Sequence, residues 1–169
     1  FHFGRQLDKS SYVAFNLHSY QEGDLYQALY EKKKGMKPKT GNYDHIAGNI
    51  VWSWTIDDTA KNQMVLARSK YDYNAGGYGL GIWSWKFSDQ FDKKVDDHLL
   101  TAGFEFTKDT TTGTQLSNRD LLNRSLYLQD QWSIAPALKF IAGVRYDKNS
   151  AFGSHASPSF SLGYDITPT

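Results

Sequence analysis

The sequence predicts an all-β fold: an antiparallel transmembrane β-barrel segment of about eight meandering strands in an open, curved sheet. Three observations predict it. Apolar and polar residues alternate with a period of two over repeated stretches of about 9–11 residues, the length of a tilted membrane-crossing strand. The connections alternate between short turns and longer polar loops, as in antiparallel outer-membrane barrels. The 11 Tyr, 10 Phe and 5 Trp among 169 residues gather near strand ends, where rings with one apolar and one polar edge suit a bilayer interface.

The elements follow in order. Residues 1–4 read as the end of an earlier strand, with residues 5–9 as its turn. The first full strand is 10–21, where Val13, Phe15 and Leu17 alternate with Ala14, Asn16 and His18. The second is 43–56, with Ile46, Gly48, Ile50, Trp52, Trp54 and Ile56 on one face. The third, 62–73, is the least regular: Arg68 and Lys70 are expected in the lumen, because a cation facing lipid at mid-depth costs ~2–4 kcal/mol. The fourth, 80–88, carries Trp83, Trp85 and Phe87. The fifth, 98–108, sets Leu100, Ala102, Phe104 and Phe106 against Thr101, Gly103, Glu105 and Thr107. Strands 123–133, 138–147 and 157–166 follow, with Pro158 near the start of the last, where a missing N–H is tolerated.

Residues 57–61 and 133–137 read as tight turns and 90–97 as a somewhat longer one. Larger polar loops are expected at 22–42, 74–79, 109–122 and 148–156. Segment 25–31 is open between a strand extension and a short helix.

Composition narrows the function classes. With 19 Lys and Arg against 18 Asp and Glu, the net charge of +1 gives no general attraction to nucleic acid, and none is expected as a partner. The absence of Cys excludes disulfides, thiolate metal sites and thiol nucleophiles. No stretch is long and apolar enough for a membrane helix. A soluble sandwich also alternates, but its apolar face is usually aliphatic rather than aromatic.

Three segments carry a family likeness. Residues 123–132 (NRSLYLQDQW) precede a turn, then 138–147 (LKFIAGVRYD), a loop, and 152–160 (FGSHASPSF) leading into 162–168 (LGYDITP). Upstream, residues 98–105 read HLLTAGFE. This succession resembles the barrel of TonB-dependent outer-membrane receptors, catecholate-siderophore types foremost. The resemblance implies a 22-stranded monomeric barrel closed by a plug. It implies uptake of a ferric siderophore, haem or cobalamin, driven by TonB–ExbB–ExbD acting on that plug. Outer-membrane lipid and lipopolysaccharide would surround the barrel. The chain (1–169) is then expected to be a partial barrel domain from the interior of a longer receptor, with the plug domain absent. No enzymatic activity and no cofactor are expected.

The candidate ligand-binding residues are Tyr73, Tyr78, Arg119, Arg124, Lys148 and His155, at the long-loop end, where Arg and aromatic groups can receive an anionic iron chelate. Arg68, Lys70, Glu105 and Arg145 are expected as lumen-facing charges, for ligand or plug. The five His match no metal spacing, so no metal site is expected. The glycine-rich run 76–81 precedes a strand rather than a helix and reads as a loop tip. The basic run Glu31, Lys32, Lys33, Lys34 reads as a solvated loop face. Two rivals stay open: a self-contained eight-stranded barrel, in which strands 10–21 and 157–166 would pair, and an outer-membrane hydrolase using His98 and Ser133 near one rim.

Overall fold

The computed structural model describes residues 1–31, 35–75, 77–114 and 118–166, with side chains considered outside 24–40. Among the described residues nine strands are formed: β1 (His2–Gln6), β2 (Ser11–Glu31), β3 (Gly35–Asp57), β4 (Ala60–Ala75), β5 (Tyr78–Val95), β6 (His98–Gly113), β7 (Arg119–Ala135), β8 (Leu138–Asn149) and β9 (Gly153–Tyr164). They make one antiparallel meander in sequence order, β1 to β9. All eight expected strands are present, and residues 1–4 contribute to a short ninth. β2 lies between β1 and β3, and β9 pairs with β8. The sheet is therefore open, without the pairing of 10–21 to 157–166 that a closed eight-stranded barrel requires.

The turns at one end are short and held by side chains. Asp57 accepts hydrogen bonds from the Thr59 amide at 2.8 Å and hydroxyl at 2.6 Å, and Lys93 reaches it from β5 at 3.1 Å. The Thr59 hydroxyl and amide, helped by Lys93, pull its carboxyl from the ordinary 3.8 down to about 2. In the β5–β6 turn Asp96 takes φ 51°, a left-handed conformation that Asp tolerates better than most residues. The expected turn 90–97 contracts to Asp96 and Asp97, because β5 continues to Val95.

The other end departs further from expectation. Most of the expected loop 22–42 is ribbon: β2 runs to Glu31 and β3 starts at Gly35, which makes 25–31 a strand extension. Lys32, Lys33 and Lys34 lie outside the described residues. β6 and β7 likewise take up much of 109–122, and β8 and β9 much of 148–156. At 74–79 the chain turns at Gly77, φ 91°. A ribbon that runs past the apolar band needs no alternation of its side chains, as at 109–113. Its cross-strand backbone bonds persist regardless.

Pairing assigns the two faces. One row across the sheet reads Val13, Trp52, Met64, Asp89, Phe104, Leu126 and Tyr146. The next reads Phe15, Ile50, Leu66, Phe87, Phe106, Arg124 and Lys148. This apolar face stays open: Ile46, Ile50, Trp52, Leu126, Leu128 and Val144 are all exposed. Among the described residues, the buried hydrophobic side chains are Ala14, Ala60 and Ala75. The exposed face is too large and apolar for water, and matches a lipid-facing surface.

The apolar band also slants across the rows. The row through Ile46 reaches Asp120 on β7, whereas the apolar run of that strand begins near Leu126. That stagger, about 1.5 residues per strand, corresponds to a strand tilt of roughly 45° given ~3.3 Å per residue and ~4.8 Å between strands, within the range of closed barrels.

Candidate functional site

The opposite, polar face carries the charge network. Register places Lys86 on β5, Glu105 on β6, Ser125 on β7 and Arg145 and Asp147 on β8 within three neighbouring rows, with Glu105, Ser125 and Asp147 sharing the middle one. Arg145 Nη2 donates to Glu105 Oε1 at 3.1 Å and to Ser125 Oγ at 2.8 Å, and its Nε donates to Asp147 at 3.1 Å. Lys86 pairs with Glu105 from the other side. Ser125, 3% exposed, donates to Asp147 Oδ1 at 2.5 Å. Two cations and two carboxylates thus alternate across four strands, each charge facing an opposite one. In the row of Arg145, Gly103 leaves a gap that Tyr127 fills. A Cβ at Gly103 would lie 2.6 Å from the Asp89 carbonyl and run into the Tyr127 ring. The Tyr127 hydroxyl reaches across to Gln90 Oε1 at 3.1 Å.

Toward the ribbon end, the same face of β2–β4 is aromatic. Tyr20 and Tyr43 meet edge to face at 5.5 Å, Tyr43 and Tyr71 at 4.9 Å, and the His18 and His45 rings lie 6.2 Å apart. Tyr73 stands beside them with a buried hydroxyl that has no hydrogen-bond partner. Rings and imidazoles on three strands form one polar-aromatic wall suited to stacking and hydrogen bonding. Sequence reading singled out Tyr73 alone from this wall. The signal for the others lay in register, since Tyr20, Tyr43 and Tyr71 belong to different strands.

The remaining candidates divide between faces. Tyr73, Tyr78, Arg119 and His155 take polar-face positions, paired with Tyr43, Ala75, Thr111 and Asp147 respectively. Glu105 and Arg145 also lie there. Arg124 and Lys148 do not: they pair with each other and with Phe106, on the apolar face. Arg68 and Lys70, expected in the lumen, likewise pair with Gly48, Trp85, Ile46 and Trp83, also on the apolar face. Depth corrects both expectations. All four sit at the ribbon-side border of the slanted band, where an outward cation costs only ~0–1 kcal/mol. Arg68 lies over the rings of Trp83 and Trp85 at 5.1 and 4.8 Å, and Lys70 over Trp83 at 4.8 Å.

Among the described residues, no group of three or more His, Asp or Glu is placed to hold a metal. His98 and Ser133 lie on opposite faces. His98 Nδ1 is 2.8 Å from Asp130 and its ring stacks on Trp132, while Ser133 pairs with Lys139 on the polar side. They form no hydrolytic pair.

Comparison with known proteins agrees with this geometry. No curated protein sequence matches the chain. Among solved structures, it is similar to the siderophore receptor PirA from Pseudomonas aeruginosa, with 18% identity and a TM-score of 0.81 over 98% of this chain and 29% of that one. A mutant of the ferric enterobactin receptor PfeA, also from Pseudomonas aeruginosa, gives 15%, 0.80, 98% and 30%. PirA from Acinetobacter baumannii gives 16%, 0.73, 98% and 31%. The chain therefore spans less than a third of the length of these structures, and at these identities the likeness concerns fold. The family model for the TonB dependent receptor-like β-barrel matches residues 3–169. A two-faced, tilted antiparallel meander matched over nearly its whole length places this chain in the TonB-dependent receptor β-barrel family.

Proposed function

We propose that the chain is part of the barrel of an outer-membrane receptor that imports a ferric siderophore into the periplasm. The family is one of receptors and transporters rather than of enzymes. The observation that carries the reading is the division of labour between faces. Charge pairs and an aromatic wall line one face, and a slanted apolar band covers the other. In a closed barrel the polar face is the lumen. The wall of Tyr20, Tyr43, Tyr71, Tyr73, His18 and His45, with Tyr78 and Arg119 near the same end, then contacts an anionic iron chelate by stacking, hydrogen bonding and charge. Haem and cobalamin are the competing cargoes, and the aromatic wall alone accommodates either.

The Lys86–Glu105–Arg145–Asp147 network holds the lumen wall and offers charges to a plug from the same receptor. TonB–ExbB–ExbD, pulling on that plug, supplies the work, and the substrate undergoes no bond change. The test is radiolabelled uptake in a strain deleted for the full-length gene. Loss of uptake of one ferric siderophore is expected. Unchanged uptake of every iron chelate tried would overturn the siderophore reading, and a selective loss of haem or cobalamin uptake would replace it with that cargo.

A further inference from the structure

Two imidazoles stand together in the aromatic wall. His18 on β2 and His45 on β3 both take polar-face positions, opposite Ala47 and Tyr20 respectively. They are diagonal neighbours one row apart, with ring centroids 6.2 Å apart and the rings tilted by 55°. A divalent first-row metal binds imidazole nitrogen at ~2.0–2.1 Å, with the ring centroid about 1.1 Å further back, so one ion can join rings up to roughly 6.3 Å apart. The observed spacing lies inside that limit. A tetrahedral ion would draw the rings about 1 Å closer. His18 has room for that movement, because it is exposed and its cross-strand neighbour is the small Ala47. Among the described residues, neither ring is tied to an amide or carboxylate side chain, as His2 is to Asn16 and His98 to Asp130.

The charge around the pair favours a cation. Polar-face positions from Asn16 to Glu22 on β2, Tyr43 to Asn49 on β3 and Ala67 to Tyr73 on β4 hold no Lys or Arg. Arg68 and Lys70 of the same stretch of β4 take the other face. The one carboxylate among these polar-face positions is Glu22, in the row next to that of His45.

We propose that His18 and His45 form a binding site for one divalent transition-metal ion of the Ni²⁺, Cu²⁺ or Zn²⁺ class, with water or a small complex completing its coordination. Imidazole nitrogen suits these ions, and two neutral rings without a neighbouring cation add no repulsion. Spacing along the chain concealed the pair, which only the β2–β3 register assembles. The inference rests on the outer-membrane reading above, in which this face is the lumen, but not on the identity of the imported chelate.

The test uses the full-length receptor purified in detergent and titrated with Cu²⁺, the ion of highest affinity in the divalent series. Electron paramagnetic resonance of the wild type is expected to show tightly bound copper coupled to two imidazole nitrogens. His18→Asn and His45→Asn are each expected to lose one equivalent of tightly bound ion. The double variant is expected to lose that same single equivalent, because both rings hold one ion. His98→Asn, on the opposite face, is expected to bind as the wild type does. Heat-modifiable migration in gels checks that each variant remains a folded barrel. Absence of the two-nitrogen signal in the wild type, unchanged stoichiometry in either folded single variant, or loss of two equivalents in the double variant would overturn the proposal. Failure of the outer-membrane reading would appear separately, as a full-length protein that does not fractionate with outer membranes.

Discussion

Arg145 and Arg68 occupy opposite faces of one sheet and are stabilised by different means. Arg145 stands on the polar face among Glu105, Asp147 and Ser125, with each guanidinium contact at 2.8–3.1 Å. Arg68 stands on the apolar face with its guanidinium over two indole rings. The first position works because opposite charges and water share that face. The second works because it lies at the edge of the band rather than within it. What a charge costs in this sheet depends on two coordinates, face and depth, and a strand's alternation reports only the first.

The sharpest way to break the comparison is to place the same cation on both faces of one strand. Leu128→Arg, on the lipid side between Ala102 and Val144, is expected to destabilise the full-length receptor by ~2–4 kcal/mol in urea titrations in lipid vesicles. Its neighbour Gln129→Arg, on the polar side, is expected to change stability by less than about 0.5 kcal/mol. Equal effects would mean that the faces are misassigned.

The next test removes a cation from the polar network. Arg145→Ala leaves Glu105 with Lys86 alone and deprives Asp147 of its cation. After allowance for the partial exposure of these groups, a loss of about 1–2 kcal/mol is expected in the same titration. Adding Glu105→Ala is expected to cost less than the sum of the single changes, and strict additivity would show that the pair is uncoupled.

A polar group on the apolar side gives a third. Asp89 lies in the apolar band, and the buried Asn62 amide donates to it at 2.5 Å. Asn62→Leu removes that donor and is expected to cost about 1–2 kcal/mol, with Asp89→Leu in the same background recovering most of it. No recovery would mean that the carboxylate is satisfied by something other than Asn62.

The smallest effect belongs to the short-turn rim, outside the membrane. The folded carboxyl of Asp57 lies at about 2 and the unfolded one near 3.8. Because the folded value is the lower, its contribution is complete above the unfolded value and declines as pH falls through that interval toward 2. Carboxyl chemical shifts are expected to stay in the ionised range at pH 4 and to titrate near 2. A midpoint near 3.8 would show that the Thr59 and Lys93 contacts do not hold in solution.

Legibility in the sequence tracked the bilayer. Where a strand crosses lipid, as at Ile46 to Trp54 or Leu138 to Tyr146, alternation marked it, and the strands expected there are present. Where a ribbon continues past the apolar band, as at 109–113, polar residues on both faces concealed strand from view. The third strand was ambiguous for a local reason. Met64 and Leu66 on one face and Val65 and Ala67 on the other are all apolar, so the side taken by Arg68 and Lys70 had to be inferred from cost alone. That inference assumed mid-depth. The candidate site was partly visible: Glu105 and Arg145 were identified singly, and Tyr73 was one member of a wall whose other members lie on β2, β3 and β4.

By itself, the sequence determined the all-β class, the number and direction of the crossing strands, and the family likeness, because these follow from local periodicity and short motifs. Only the tertiary structure decided which residues are neighbours across strands, and how deep each lies. Both depend on register and tilt, which are set by pairing between distant segments. A one-residue slip would exchange the faces, and a change of tilt would move Arg68 from the edge of the band into it.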